Sequence, residues 1–451
     1  MEDLPEEILE VVFCYLSPYR EYDTASLVCK KWNSVVKRML KQLTTNFSSA
    51  LQSGVTEWCC IEQDNQITSV SPRVGQSTCY NDFTRSLYLF GGKSASRANA
   101  GFNDLLKFDL HTFKWHRPQI KGAIPPPKFG ASLQSYKHFL ILFGGSSLPP
   151  TNTLGRGHAE YSNELHVYDT RKETWTLKSF LENECPPPLC FPCSCVLEDE
   201  DDPQLDSMFV YGGYRMSADN SRSTEIWCLN LHLFKWERHY VKGDLPSAVN
   251  SHSSMWMCRL QTKSYSNALF LLNYNLSCYQ AWKLLRTSFI DWISVKVDFQ
   301  PSPNGYVPTM CTLHGQTCAL IDGMVAILAN PGTPHIMPLM HEIKKFKLLK
   351  KNEMSKSSQS QLSTLKKPSD DCAINNFLCV FLLDLKDIET NNVVQWIDQL
   401  QDGKLKPCFI GRLTSSNIHA VLGRGEIVLH GVLKHGNSIS MGLYNVRQAF
   451  S

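Results

Sequence analysis

The sequence predicts a mainly β fold: a ring of repeated four-stranded blades, entered through a small all-α module. Three observations predict it. The first is a run that recurs as Leu87-Tyr88-Leu89-Phe90-Gly91-Gly92, Leu140-Ile141-Leu142-Phe143-Gly144-Gly145 and Met208-Phe209-Val210-Tyr211-Gly212-Gly213. Each copy is an aliphatic and aromatic stretch suited to a buried strand. Two glycines stop it, where the backbone bends or another backbone passes close. The second is the fixed order of parts downstream of each copy: a polar pair, another apolar strand, a turn and a tryptophan. Asn103-Asp104 leads to Phe108-Asp109 and Trp115, Asn163-Glu164 to Tyr168-Asp169 and Trp175, and Thr224-Glu225 to Leu229-Asn230 and Trp236. The third is the helical periodicity of residues 1–40, unlike anything after them.

Composition narrows the function classes. The chain has 451 residues, 43% hydrophobic and 19% charged, ordinary globular proportions with material for more than one core. A net charge of +3 is too near neutral to make nucleic acid or an anionic membrane the main partner. No apolar run approaches the ~18–20 residues of a membrane-crossing helix. The N-terminus is acidic and amphipathic, without the basic-then-apolar order of a signal peptide. Seventeen cysteines without such a signal read as free thiols in a reducing compartment. The cytoplasm, the nucleus or both are the expected location.

Taken in order, Asp3-Leu4-Pro5-Glu6 has the makings of a capped helix start. Ile8, Leu9, Val12, Phe13 and Leu16 recur at helical spacing, Pro18 ends the helix, and Val28, Trp32, Val35 or Val36, and Met39 form a second set. So few residues bury such stripes poorly on their own, which leaves apolar surface for a partner. Leu4-Pro5-Glu6-Glu7-Ile8-Leu9, Phe13, Leu16-Ser17-Pro18 and Ser26-Leu27-Val28-Cys29-Lys30-Lys31-Trp32 resemble the F-box family over roughly residues 2–40. The resemblance implies docking to a Skp-type adaptor and through it to a cullin of a ubiquitin ligase. Leu4, Pro5, Ile8, Leu9, Leu16, Val28 and Trp32 would then make the contact. The alternative is a helical cap packed on its own β domain. The boundaries are 1–45 for the module, 46–56 for a linker and 57–451 for the ring.

Blade one spans about 73–117, blade two 127–178 and blade three 188–239. Blade four has Asn273-Tyr274 where the glycines should stand. Blade five is interrupted after Leu328-Ala329 by a stretch rich in lysine, serine and glutamine, about 340–372, with a disorder signature. Blade six has three strands and no tryptophan strand, while Glu57-Trp58-Cys59-Cys60-Ile61-Glu62 is an orphan strand with a tryptophan. An open blade leaves unpaired edges, so residues 57–62 are expected to complete blade six and close a six-bladed propeller. The repeats resemble the kelch family across 57–449.

No catalytic constellation emerges, and no cofactor or metal is expected. Cys190-x-x-Cys193-x-Cys195 lacks a second pair at zinc spacing, and Gly423-Arg424-Gly425 has no helix after it and reads as a tight turn. Binding is the better class. The loops between second and third strands carry Lys93, Arg97, Arg156, His158, Arg215 and Arg222, and a loop between blades on the same face adds Arg238. Guanidinium forks suit carboxylate or phosphate, so this face is expected to take an acidic or phosphorylated segment of a protein substrate. Tyr161, Phe102 and Tyr214 are its candidate aromatic anchors. A non-ligase kelch scaffold is the alternative to a substrate receptor.

Overall fold

The computed structural model describes residues 4–61, 70–94, 101–147, 160–181, 184–199, 201–215, 223–240, 242–243, 254–260, 268–275, 278–286, 290–298, 318–329, 379–397, 400–401, 404–405, 413–435 and 438–448. Arg97, Arg156, His158, Arg222 and the 340–372 insertion lie outside them, as does Asp3.

Three helices come first: α1 (Glu6–Phe13), α2 (Glu21–Ser26) and α3 (Lys30–Ser53). Six antiparallel four-stranded blades follow. Blade one is Ser77–Asn81, Ser86–Phe90, Leu105–Asp109 and Lys114–His116. Blade two is Lys128–Tyr136, Phe139–Ser147, Leu165–Asp169 and Thr174–Lys178, and blade three is Cys193–Leu197, Ser207–Tyr211, Ile226–Asn230 and Lys235–His239. Ser254–Leu260, Ala268–Asn275, Cys278–Arg286 and Ile290–Asp298 make blade four. Cys318–Ile321, Met324–Ala329, Cys379–Asp384 and Val393–Ile397 make blade five. Blade six takes Leu413–Leu422, Glu426–His435 and Ser438–Gln448 from the end of the chain and Thr56–Cys60 from its beginning. That first strand runs antiparallel to the last, with Trp58 opposite Val446. First strands of neighbouring blades face one another around a central channel.

The glycine pairs mark where one blade's chain crosses the next. A Cβ on Gly91 would stand 2.5 Å from the Lys128 carbonyl oxygen, and one on Gly144 would stand 2.7 Å from that of Leu189. Both glycines also have positive φ, +67° and +74°, where side chains are disfavoured. The residue before each pair takes the next blade's tryptophan. Trp175 packs on Phe90 with centroids 5.6 Å apart, Trp236 on Phe143 at 5.2 Å, and Trp292 on Tyr211 at 5.5 Å. Blade four needs no such glycines, because its second strand runs straight through Asn273-Tyr274 into a short hairpin, Asn275 pairing with Cys278.

The turn before each tryptophan is built from the acid or amide that ends the third strand. Asp109, Asp169 and Asn230 each accept two backbone N–H groups from the next residues, an Asx turn. Phe113, Glu173 and Phe234 come next with φ of 53°, 53° and 51°.

Two expectations are corrected at the N-terminus. α1 begins after Pro5 with no side-chain cap. Residues 46–53, expected as linker, continue α3, because Phe47 and Leu51 are buried among Ile321, Met324, Ala420 and Ile427 of blades five and six. Gly54, at φ 67°, ends the helix, as glycine commonly does.

Blade six also holds an unusual pair. His419 and His430 face each other on adjacent strands with ring planes 3° apart and centroids at 5.0 Å. Both are buried, and His419 Nε2 and both His430 nitrogens have no partner among the described residues. Burial pushes the His419 pKa down to about 4, and burial with the His419 and Arg73 charges pushes His430 well below 6.5. His166 in blade two is also lowered to about 4, chiefly by burial. The unfolded chain therefore takes up protons that the folded ring refuses. Stability is full above about pH 6.5 and falls as pH drops toward 4, by up to about 1.4 kcal/mol per pH unit for each imidazole. Denaturant unfolding at pH 7.5 and 5 checks this, and His419→Phe is expected to flatten the dependence.

Candidate functional site

The two ends of the ring carry different chemistry. The helical module sits at the end formed by the turns between first and second and between third and fourth strands, where Arg85, His111 and Arg424 reach it. The described parts of the loops between second and third strands, with Lys93 and Arg215, emerge at the opposite end.

Within the module, Leu9 and Phe13 of α1 are buried against Tyr22, Ala25, Val35, Val36 and Met39. Arg38 of α3 holds α1 by ion pairs to Glu6 (2.9 Å) and Glu10 (2.6 Å). α1 has a second apolar stripe one position round, and that one is bare. Ile8 is 48% exposed, Val11 58%, Val12 48% and Tyr15 87%, with Leu27 at 84% and Val28 at 57% beside α2. Apolar surface gathered this densely on so small a module marks an interaction site. Of the seven residues selected from sequence, Pro5, Ile8 and Val28 are exposed. Leu4, Leu16 and Trp32 are half-buried against the module core, with Trp32 edge-on to Phe13 at 4.9 Å. Leu9 is 1% exposed and is a core residue; its selection is corrected. Val11, Val12, Tyr15 and Leu27, also exposed, were not among those selected, although the spacing Ile8, Val11, Val12, Tyr15 spells a helix face.

At the opposite end the described cations are engaged with the ring itself. Lys93 lies over the Phe129 ring at 4.9 Å. Arg215 and Arg238 converge on one oxygen of Glu225, at 3.2 and 3.0 Å, while the Trp227 indole donates to its other oxygen at 3.0 Å. Fully buried Arg73 grips Asp104 with two hydrogen bonds, 2.5 and 3.1 Å, and lies over Phe102, so that Phe102 supports a cation and is no free anchor. Buried Lys128 donates to Glu164 at 2.9 Å. The same acidic position of the repeat, Asp104, Glu164 and Glu225, thus carries a cation in each of three blades. Burial raises the Glu164 pKa, but Lys128, His166 and Ser162 together outweigh it, and the net shift is downward. Arg117 also approaches Asp104 at 3.5 Å. Two guanidiniums against one carboxylate leave a surplus positive charge at Asp104 and at Glu225. Tyr240 is 81% exposed with Arg238 over its ring at 5.1 Å, whereas Tyr161 and Tyr214 are half-buried.

The channel between the ends is a cavity of about 430 Å³, lined by first-strand residues of all six blades, Cys79, Gln134, Cys195, Arg259, Cys318 and Val421 among them. Cys193 and Cys195 are core thiols beside Cys228 and Met257. Burial pushes the Cys195 thiol up to about 12, and that of Cys190 likewise, so neither supplies a thiolate near neutral pH. Among the described residues no group of three or more His, Cys, Asp or Glu is placed to hold a metal.

Comparison with known proteins matches this division. Residues 1–41 fit the F-box-like family model, and residues 43–265 fit the KLHDC2/KLHL20/DRC7 Kelch-repeats domain. Together the matches support an F-box/kelch protein. The kelch match ends between the first and second strands of blade four, where the repeat motif degenerates. The F-box/kelch chain is 25% identical over 270 residues to Kelch domain-containing protein 3 of Rattus norvegicus, which covers 57% of this chain and 61% of that one. It is 28% identical over 167 residues to Acyl-CoA-binding domain-containing protein 4 of Arabidopsis thaliana, 36% of this chain and 21% of that one. It is also 27% identical over 96 residues to Rho GTPase-activating protein gacHH of Dictyostelium discoideum, 21% of this chain and 6% of that one. The chain therefore spans about three-fifths of the first relative named and far less of the others. F-box and kelch domains are typically non-catalytic interaction domains, and an F-box implies a Skp-type adaptor as partner.

Proposed function

We propose that this F-box/kelch protein is the non-catalytic substrate-recognition subunit of an SCF-type ubiquitin ligase, working in the cytoplasm, the nucleus or both. A Skp-type adaptor docks on the exposed apolar face of the helices and links the chain to a cullin. The far end of the ring holds a protein substrate. The receptor's part in the reaction is proximity: it holds a substrate lysine near the charged ubiquitin enzyme, raising its effective concentration. The order of parts resembles that of the Just one F-box and Kelch domain-containing protein.

The observation that carries this reading is the bare stripe of Ile8, Val11, Val12, Tyr15, Leu27 and Val28 on a module whose adjacent stripe is already filled. At the far end, the surplus charge around Asp104 and Glu225 favours an acidic or phosphorylated segment, with Arg215 and Arg238 presented beside Tyr240. One observation favours the alternative, a kelch scaffold with a helical cap: α3 is rooted in blades five and six and does cap them.

Capture of adaptor and cullin by wild type and by an Ile8→Glu, Val28→Glu variant tests the choice. Wild type is expected to bind the adaptor, and the variant to lose roughly a hundredfold or more in affinity, as for two central apolar contacts, with an unchanged Tm. Leu9→Ala should instead cost about 2–4 kcal/mol of stability, the usual cost of a deleted core leucine. A wild-type chain that captures no adaptor leaves the scaffold.

A further inference from the structure

The ring closes between its last blade and its first, and the helical corner lies across that seam. Tyr19, between α1 and α2, is buried in the same apolar cluster as Leu87, Leu89 and Phe108 of blade one and Val421, Val428 and Leu443 of blade six. Its hydroxyl donates to Glu426 Oε1 at 2.5 Å and accepts the Arg424 N–H at 3.1 Å, while Asn445 donates to the other Glu426 oxygen at 2.8 Å. The Arg424 side chain is 10% exposed and touches three parts of the molecule. It donates to the Pro18 carbonyl (2.6 Å), to Asp82 of blade one (3.0 and 3.3 Å) and to Asp23 of α2 (3.4 Å). Asp23 in turn takes two hydrogen bonds from Arg85 of blade one, at 2.7 and 2.8 Å.

The turn that carries Arg424 is shaped for this contact. A Cβ on Gly423 would stand 2.5 Å from the Tyr19 hydroxyl, and one on Gly425, at φ +78°, would stand 3.1 Å from the Leu43 Cβ. Burial and Glu426 push the Tyr19 pKa well above 10, so the hydroxyl keeps the proton it donates. Burial raises the Asp82 pKa, but Arg424 and Arg85 bring it below 3.8. α3 anchors the module a second time, in blades five and six. One anchor would let the module pivot; two, one across blades one and six and one across blades five and six, do not.

We propose that Arg424 is a positioning residue that ties the helical corner across the seam, so that ring closure and the orientation of the apolar adaptor face are one structural event. The proposal rests on reading that face as the adaptor dock. It explains why a strongly basic side chain is held almost out of water in a two-glycine turn: its planar fork reaches the Pro18 carbonyl, which Arg85 does not, and adds blade six to the Asp23 and Asp82 carboxylates that Arg85 already joins.

The test uses the full chain and two variants, Arg424→Ala and Arg424→Lys, with Asp23→Asn as a third that weakens the Arg424 and Arg85 contacts together from the half-exposed side. Backbone hydrogen exchange is measured in α2, in Thr56–Cys60 and, as an internal control, in Ser207–Tyr211 of blade three. In Arg424→Ala, exchange of the first two is expected to rise roughly tenfold, as for loss of charge-assisted contacts at a locally opening edge, with blade three unchanged and the lysine variant between. With adaptor, cullin and substrate saturating, ubiquitin transfer is expected to fall several-fold while adaptor affinity stays at the wild-type value. A purely structural role would not separate the rate from the affinity. Unchanged exchange in both α2 and Thr56–Cys60 overturns the tie. Raised exchange with wild-type transfer overturns the positioning role. If wild type captures no adaptor, the receptor reading fails by itself, and the exchange result still decides the tie.

Discussion

A chain lacking residues 1–61 is expected to lose cooperative unfolding altogether. Removing Thr56–Cys60 strips the outer strand from blade six and leaves Ser438–Gln448 as a bare edge, with Tyr444 and Val446 uncovered. Such an edge is a template for pairing with other chains. The same truncation removes Phe47 and Leu51 from the cluster with Ile321, Met324 and Ile427. Each loss alone is worth about 2–5 kcal/mol, against a total of about 5–15 kcal/mol for an ordinary domain. Tyr19 and the contacts of Arg424 go with them. Calorimetry should show no sharp transition, and light scattering should show association. A truncated chain melting within a few degrees of the full one would mean that the ring is closed some other way.

Gly144→Ala is expected to be a strongly damaging single methyl addition in the described ring. Its Cβ would lie 2.7 Å from the Leu189 carbonyl oxygen, a backbone atom fixed by the entry into blade three. The residue also has φ +74°. Left-handed backbone alone costs an alanine about 1–2 kcal/mol; with the clash, the expected loss is on the order of 3–4 kcal/mol. Gly323→Ala is the control. Its φ is +76°, yet nothing stands within 4 Å of the added carbon, so only the conformational cost of about 1 kcal/mol remains. Chemical denaturation of both variants gives the comparison. Equal losses would show that crossing chains do not constrain the glycine pair.

Much of the fold was legible because the repeat writes its constraints locally. The glycine pair, the Asx turn and the tryptophan are each a few residues apart, and blades one to three display all of them. The orphan strand around Trp58 and the missing fourth strand of blade six pointed to each other because an unpaired edge is costly. α3 was read too short because Phe47 and Leu51 sit among serine, threonine and asparagine, so only the four-residue spacing betrays the helix. The adaptor face was half legible. α1 is apolar on two adjacent stripes, and periodicity alone does not say that Leu9 turns inward while Ile8 turns out. The charged end was the least legible. Arg215 and Arg238 looked available, but Glu225 comes to them from the start of the next strand. Arg73 and Lys128 looked like ordinary basic residues, and only the recurrence of an acid before each third strand hinted at a fixed cation. Arg424 reaches Asp82 and Pro18 across more than three hundred residues of chain, a distance at which no local pattern survives.

The most direct measurement is the ubiquitin carried by proteins captured on the ring in cells, compared between wild type and the Ile8→Glu, Val28→Glu variant. A receptor with a separate adaptor face should capture the same proteins in both cases, ubiquitinated and turned over with wild type, unmodified and accumulating with the variant. Equal modification and equal turnover of the captured proteins would contradict the receptor reading, and with it the role given to the bare face of α1.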